Sequence, residues 1–146
     1  MKIILFIVIV LSLGITVNLK GDSEMPVVHE QRVFQSRYGY QVNIPDDFVV
    51  HDQIPELVVI EKNTSRLRIN SGCFDSGVED MQVVETTTSL NGVPALKQEY
   101  YSDANLKLQK YSMEYGSECY SLELSANDMQ GWEELIELVK SFRFTR

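Results

Sequence analysis

The sequence has few of the residues from which catalytic centres are built. Among its 146 residues are two cysteines, two histidines and one tryptophan. It also lacks a P-loop, a glycine-rich dinucleotide fingerprint and the Gly-x-Ser-x-Gly turn of serine hydrolases. These absences argue against an enzyme, including a hydrolase or a cysteine nucleophile activated by histidine. We expect no catalytic residues and no cofactor.

Metal ligands are equally sparse. The residues that come nearest to a ligand set are His29, His51, Asp46, Asp47 and Asp52. Their spacing matches no established ligand pattern, so exposed loop residues are favoured over a metal site. The acidic segment 75–80 also lacks the ligand density of a dedicated calcium site. We therefore predict no metal centre.

Basic residues are in short supply. The chain has 13 Lys and Arg against 21 Asp and Glu, a formal net charge of −8. From Gly21 onward it has 11 basic and 21 acidic residues, a net charge of −10. This balance argues against DNA, RNA or an anionic membrane surface as the main partner. It is typical of a soluble acidic surface, and any protein partner is expected to be basic.

Long apolar runs are confined to the N-terminus. Lys2 precedes an almost continuous apolar run over residues 3–17, which has the length of a secretory signal and is short for a spanning helix. Residues 1–20 are therefore predicted to be a signal peptide or an N-terminal anchor. No Ala-x-Ala site follows, and Gly21 and Ser23 are the best small-residue pair for cleavage. Export to the periplasm or the extracellular space is expected, with membrane contact through residues 3–17 if they are not cleaved.

The remaining chain divides into a linker and one domain. Residues 21–31 are polar and contain Pro26, which predicts a disordered linker. Residues 32–146 are long enough to form a single domain with a real core.

The C-terminal segment 125–144 has a clear helical pattern. Its apolar residues recur at spacings of three and four: Met129, Trp132, Leu135, Ile136, Leu138, Val139 and Phe142. Asn127 and Gln130 have the spacing of a capping box. Because such a helix needs a sheet on which to bury its apolar face, we predict that Trp132 is buried against a strand carrying Tyr120, Leu122 and Leu124.

The segments before the helix have the alternation of strands. Residues 38–44, 57–60 and 66–73 are predicted strands, and residues 51–56 are predicted to form a loop. The strands of the second half are predicted at 82–90, 93–101, 106–115 and 118–126, the first two joined by an Asn91-Gly92 hairpin turn. The apolar parity changes near Gln109 and Lys110, which predicts a bulge there. Strands in succession followed by a helix predict an α+β fold, an antiparallel sheet packed by a C-terminal amphipathic helix.

Four short segments resemble one known family. They are Tyr-Gly-Tyr running into Ile-Pro-Asp-Asp-Phe (38–48), Leu-Asn-Gly-Val-Pro-Ala (90–95), Tyr-Ser-Leu-Glu-Leu-Ser-Ala (120–126) and Ser-Phe-Arg-Phe (141–144). Their order resembles the PsbP-like superfamily, including its DcrB-type bacterial exported members. The resemblance implies an α/β/α sandwich and non-catalytic binding to a protein partner, and it carries over no site residue. One departure is that residues 75–81 leave room for about two helical turns at most, where such domains usually have a further helix.

The two cysteines leave alternatives open. Export makes a Cys73–Cys119 disulfide possible. The alternation of side chains argues against this bridge. Cys73 is predicted to point to the same face as the core residues Leu67 and Ile69, whereas Cys119 is predicted to point to the face opposite Leu122. An irregularity at Gly72 would remove this objection by changing the face to which Cys73 points. Two independent thiols are the alternative.

Tyrosines crowd the predicted hairpins and suggest a binding surface. Because Tyr100 and Tyr101 are adjacent on a strand, one of them must face away from the core. Tyr101, Tyr111 and Tyr115 are candidate partner-binding residues, since tyrosine is enriched at protein interfaces. The alternative is that each ring lies at the edge of the core with a solvated hydroxyl.

Three functions remain from the sequence. The first is an exported, non-catalytic accessory domain that binds a protein. The second is a carrier of a small ligand or metal in a pocket between helix and sheet. The first class includes an immunity-type protein whose acidic face binds a basic secreted toxin. The third is a hydrolase, against which the missing motifs argue.

Overall fold

The computed structural model describes residues 30–74 and 78–145. In chain order, this part contains β1 (Gln31–Gln35), β2 (Tyr40–Pro45), β3 (Val49–Ile54), β4 (Leu57–Lys62), β5 (Ser65–Asn70), β6 (Gln82–Leu90), β7 (Val93–Ser102), β8 (Asn105–Tyr115), β9 (Glu118–Ser125), α1 (Met129–Ser141) and β10 (Arg143–Phe144). The predicted signal segment and most of the predicted linker lie outside the described residues. The last linker residue, Gln31, belongs to β1, so the ordered domain begins slightly earlier than predicted.

The strands form two antiparallel sheets. The larger has seven strands in the order β3-β4-β5-β9-β8-β7-β6, and the smaller has the order β1-β2-β10. The four strands of the second half form the predicted meander, because each of them pairs with the next along the chain. Asn91 and Gly92 form the predicted hairpin turn, both with positive φ (49° and 85°), as a type I′ turn requires.

The hydrophobic core lies on one face of the large sheet, which we call the inner face. Leu67 and Ile69 of β5 and Leu122 and Leu124 of β9 are fully buried there and pair across the two strands. Helix α1 contacts β5 and β9 from this side and contacts β2 of the small sheet. Alternating Tyr40, Val42 and Ile44 of β2 are also fully buried. The arrangement confirms the α+β prediction of an antiparallel sheet packed by a C-terminal helix.

The helix differs from its prediction at its first turn. Its N-cap is Asp128, whose carboxylate accepts a hydrogen bond of 2.7 Å from the backbone N–H of Gly131. The predicted capping box from Asn127 to Gln130 is therefore wrong by one residue. Met129, predicted to face the core, is 74% exposed at the first position of the helix. Leu135, Leu138 and Val139 are buried as predicted.

Two strand predictions also need correction. The predicted loop 51–56 is largely β3, which continues to Ile54 through an irregular register with β4. The bulge in β8 falls at Lys107 rather than at Gln109 and Lys110, because Tyr100 pairs with Leu108 and Tyr101 pairs with Leu106. Lys107 is a polar residue in an alternating strand, so the hydrophobic pattern alone does not reveal that it is the extra residue.

The connection from β5 to β6 begins across the opposite, outer face of the large sheet. The hydroxyl of Ser121 in β9 donates to the carbonyl of Gly72 at 3.2 Å, and the ammonium of Lys110 in β8 donates to the carbonyl of Phe74. Among residues 30–74 and 78–145 the one helix is α1, on the inner face, so the described part does not show the second helical layer of the predicted α/β/α sandwich. Residues 75–77, the first three of the segment 75–81 that is predicted to be too short for a long helix, lie outside the described part. Across residues 30–74 and 78–145, no helix has both the length and the apolar character needed to cross a membrane.

Candidate functional site

The inner face is not fully covered by the helix. Because α1 contacts β2, β5 and β9, the inner face of β7 and β8 is left beside it as a cleft of about 700 Å³. One wall is formed by helix side chains and the floor by strand side chains, and we call this space the helix–sheet cleft. Its lining includes Lys97, Glu99, Gln109, Trp132 and Ile136.

The helix wall of the cleft is apolar. Trp132 and Ile136 are half-buried, pack against the core and also line the cleft. The exposed Met129 lies at its rim. The prediction that Trp132 is buried against the sheet is therefore correct for one side of its ring and wrong for the other. The structure places this ring between the core and a candidate binding space.

The floor of the cleft is a polar network. The ammonium of Lys97 lies 2.9 Å from a carboxylate oxygen of Glu99, and the side-chain amide of Gln109 donates to the same oxygen at 2.9 Å. The hydroxyl of Tyr111 donates to the amide oxygen of Gln109 at 3.4 Å. The hydrogen bond from Lys97 lowers the pKa of Glu99, whereas burial raises the pKa of Tyr111. The floor therefore presents an ionised carboxylate at neutral pH, and the phenol of Tyr111, which is hydrogen-bonded to the lining residue Gln109, is neutral.

This network was missed by sequence reasoning, although the sequence carried a signal for it. In β7, Lys97 and Glu99 share strand parity with Val93 and Ala95, which pack in or against the core. Charged residues on a predicted core face indicate either a strand end or an uncovered part of the sheet. The structure shows the second case, because the helix ends its coverage at β9.

The three candidate tyrosines share a face but do not form one cluster. Tyr111 and Tyr115 alternate along β8 on the inner face, and Tyr101 lies at the far end of β7, opposite Leu106. Tyr115 lies nine positions after Leu106 along β8, a distance of about 30 Å at the rise of a strand. Tyr111 lies in the cleft floor network, whereas Tyr115 packs against Phe144 at the other end. A small ligand therefore cannot contact all three.

The cysteines lie on the outer face. The structure joins Cys73 and Cys119 by a disulfide with Cα atoms 5.3 Å apart. Cys73 follows the end of β5, where the chain has already left the strand, so the parity argument against pairing does not apply. The bridge lines a second, shallower groove of about 490 Å³ together with Leu96 and Ser112.

The residues considered as metal ligands have other partners or stand apart. His51 Nε2 lies 3.0 Å from a carboxylate oxygen of Glu61, whose other oxygen accepts from Arg66 Nε, also at 3.0 Å. The hydrogen bonds from Arg66 and His51 lower the pKa of Glu61. Asp47 pairs with Lys62 at 2.7 Å. Among residues 30–74 and 78–145, no group of three or more His, Cys, Asp or Glu side chains is placed to hold a metal ion; His29 lies outside this part.

Comparison with known proteins bears on the fold. No protein-family model and no curated protein matches the chain. Among solved structures, the chain is similar to the solution structure of cyanobacterial PsbP (CyanoP) from Synechocystis sp. PCC 6803. The two share 12% sequence identity with a TM-score of 0.53, over 86% of this chain and 99% of the other. At this identity the likeness shows the fold alone. It confirms the predicted PsbP-like fold, and a closer relation to the DcrB-type members stays a prediction.

Proposed function

We propose that this protein is an exported, non-catalytic accessory domain that binds a protein partner through the helix–sheet cleft. The observation that carries the proposal is the uncovered inner face of β7 and β8 beside an apolar helix wall. A partner side chain inserted there would contact Trp132 and Ile136 on one side and hydrogen-bonding groups on the other. Aromatic residues beside polar groups are typical of protein interfaces.

The chemistry of the cleft supports binding rather than turnover. Glu99 is held as an ion between Lys97 and Gln109, and its lowered pKa makes it a weak base at neutral pH. Tyr111 has a raised pKa and is a poor nucleophile in its neutral form. Of these groups, Lys97, Glu99 and Gln109 line the cleft and can orient a bound polar group by hydrogen bonds and charge.

The net charge indicates the chemistry of the partner. With a formal net charge of −8, the chain attracts basic surfaces and repels acidic ones at long range. A basic secreted toxin bound by an immunity-type protein belongs to this partner class, as does a basic subunit of an envelope complex. A DcrB-type role in the envelope is consistent with the same chemistry.

Variants of the cleft rim test the proposal. Met129→Lys removes an apolar contact at the rim and places a positive charge where a basic partner would bind, whereas Ile54→Lys is a matched control, because Ile54 is 59% exposed on β3, the opposite edge of the sheet. We expect a partner captured from the exported fraction by the wild type to bind the Met129 variant at least about tenfold more weakly. The control variant is expected to bind like the wild type. Equal weakening of partner binding in both variants, or in neither, would show that the cleft is not the binding site.

Export needs its own test. The apolar run at residues 3–17 is proposed to direct secretion. A fusion of residues 1–31 to a reporter that is active only outside the cytoplasm is expected to be active, and the same fusion with Leu5→Arg and Val8→Arg is expected to be inactive. Activity in both fusions, or in neither, would contradict export through this segment.

A small ligand is a second candidate occupant of the cleft. Its volume lies within the range of roughly 300–1,000 Å³ that is typical of small-molecule sites. Native mass spectrometry of the protein purified from its own exported fraction separates the two functions. A bound small molecule that is absent from a Trp132→Ala variant would favour a carrier over a protein-binding domain.

A further inference from the structure

Within residues 30–74 and 78–145, β6 is the last strand of the seven-stranded sheet and has no strand beside its outer edge. It spans Gln82–Leu90 and pairs with β7 on one side through nine residues without a shift in register. Val83 and Val84 are each 42% exposed, and most other side chains of the strand are exposed as well. A long, regular edge with exposed apolar side chains is a template for pairing with another strand.

The opposite edge of the same sheet is protected. In β3, the pairing with β4 shifts between His51 and Ile54, and the shifted segment includes the charged Asp52. Bulges and charges are devices by which natural proteins block edge pairing. In contrast, β6 contains no proline, lysine or bulge along its described length, and its one charged residue is Glu85. Of the two edges, β6 is therefore the one that is open to pairing with another strand.

The hairpin turn determines which backbone groups are free at this edge. Leu90 and Val93 flank the two-residue turn and form a hydrogen-bonded pair, as such turns require. Hydrogen bonding alternates along an antiparallel strand, so alternate residues from Leu90 backward direct their backbone groups at β7. The backbone groups of the remaining residues point outward: Val83, Glu85, Thr87 and Ser89.

We propose that β6 of one molecule pairs antiparallel with β6 of a second copy, about a two-fold axis at Thr86. This register places Val83 opposite Ser89 and Glu85 opposite Thr87, so all four outward-directed residues of each copy find a partner. On the inner face, Val84 lies opposite Thr88. A register centred one residue earlier would place the two copies of Glu85 opposite each other, which disfavours it.

Self-complementarity is what selects a second copy as the occupant. A two-fold interface brings each residue against a residue of the same strand, so it tolerates a charge only where that charge meets a neutral or oppositely charged partner. Glu85 meets this condition in the proposed register and already accepts a hydrogen bond of 2.8 Å from Gln98 of β7. The edge carries no cluster of charges that would select a foreign basic or acidic peptide.

The size and charge of the chain determine the strength of the dimer. One pair of nine-residue edges is smaller than the roughly 1,600 Å² of a standard interface, so dissociation constants in the micromolar range or weaker are expected. The net charge of −8 on each copy opposes association at long range. Because salt screens this repulsion, the dimer is expected to tighten between about 20 and 300 mM salt.

Charge variants at Thr87 test both the dimer and its register by sedimentation equilibrium. Thr87→Glu places two acidic side chains opposite each other at both symmetric positions and is expected to weaken the dimer at least about tenfold. Thr87→Lys places lysine opposite Glu85 and is expected to bind as tightly as the wild type or more tightly. Val49→Glu is the control, since Val49 is 54% exposed on the protected edge, and its dimer should be unchanged.

Hydrogen exchange provides the second measurement, and melting temperatures of all variants verify folding. The amides of Val83, Glu85, Thr87 and Ser89 are expected to gain protection as protein concentration rises. A monomer at every concentration up to about 1 mM would overturn the proposal, as would a dimer that Thr87→Glu leaves intact. Protection of these amides that depends on an added partner rather than on concentration would assign the edge to a foreign strand and would also overturn it.

Discussion

The rings of Tyr115 and Phe144 lie parallel, with centroids 4.0 Å apart and planes 2° apart. This stack joins the end of β8 to β10, which follows the helix by one residue. Phe144 also contacts Tyr120 and Phe142 edge-on, at centroid distances of 4.8 Å and 5.1 Å. The stack therefore ties the C-terminus of the domain to the large sheet and gives Tyr115 a structural role beside any part in binding.

Truncation of the stack should destabilise the domain. Tyr115→Ala is expected to lower the free energy of unfolding by roughly 2 kcal/mol, because half-buried aromatic area and the ring contact are both lost. Tyr115→Phe keeps the ring and should be nearly neutral. Chemical denaturation measures both, and equal stability of the wild type and the alanine variant would show that the stack contributes little.

Gly131 of α1 is expected to resist substitution, although it lies in a helix. A Cβ atom at this position would overlap the hydroxyl of Ser65 in β5 and lie 3.0 Å from the Cβ of Ala126. Gly131→Ala should therefore cost about 1–3 kcal/mol from overpacking, in spite of the better helix propensity of alanine.

A double-mutant cycle tests this explanation. Ser65→Ala removes the hydroxyl that the new methyl group would meet, so the double variant should be more stable than the sum of the two single changes predicts. Additive effects of the two changes would show that the close approach of helix and strand does not cause the loss of stability in Gly131→Ala.

The disulfide is predicted to stabilise the domain. Cys73 and Cys119 are 46 residues apart in sequence, and cross-linking a loop of this length contributes about 2–4 kcal/mol on typical figures. Reduction should lower the melting temperature, and a Cys73→Ser/Cys119→Ser variant should melt like the reduced protein. Two thiols titrated in the unfolded, non-reduced protein would contradict the bridge.

The buried Tyr40 predicts a loss of stability in alkali. Burial raises the pKa of Tyr40 to about 12, above its ordinary value of 10.0. Folding favours the neutral form of this phenol. The stabilisation that the neutral phenol gives the folded state is therefore fully present below pH 10 and is lost as the pH rises from about 10 to about 12. The loss from this group is on the order of 2 kcal/mol.

Tyr40→Phe provides the comparison for alkaline unfolding. The variant lacks the ionisable hydroxyl, so its stability should fall less steeply between pH 10 and 12 than that of the wild type. Urea unfolding at a series of pH values measures the two slopes. Identical slopes would assign the alkaline loss to other groups.

Trp132 should report on the helix–sheet cleft. Because its ring is packed against the core on one side, Trp132→Ala is expected to cost roughly 1–2 kcal/mol, less than Leu135→Ala at a fully buried position, for which about 2–5 kcal/mol is typical. Its fluorescence should be partly accessible to a quencher and should become protected when the cleft is occupied. Complete protection in the isolated protein would place the ring wholly in the core.

Local patterns in the sequence determined most of the secondary structure. The alternation of residues 82–125 and the Asn91-Gly92 turn specify the meander, since side-chain parity and turn chemistry act over a few residues. The apolar spacing of Leu135, Leu138 and Val139 specifies the helix face for the same reason. The order of these elements was also sufficient to suggest the PsbP-like fold.

Tertiary structure decided which parts of each face are covered. Met129 and Trp132 belong to the apolar face that the sequence predicts for the helix. Because α1 lies over β5 and β9, however, Met129 is exposed and Trp132 is only half-buried. The same position leaves Lys97 and Glu99 to line a cleft rather than a core. Coverage depends on contacts between segments distant in sequence, so no local pattern could specify the cleft, the pairing of Cys73 with Cys119 or the open edge at β6.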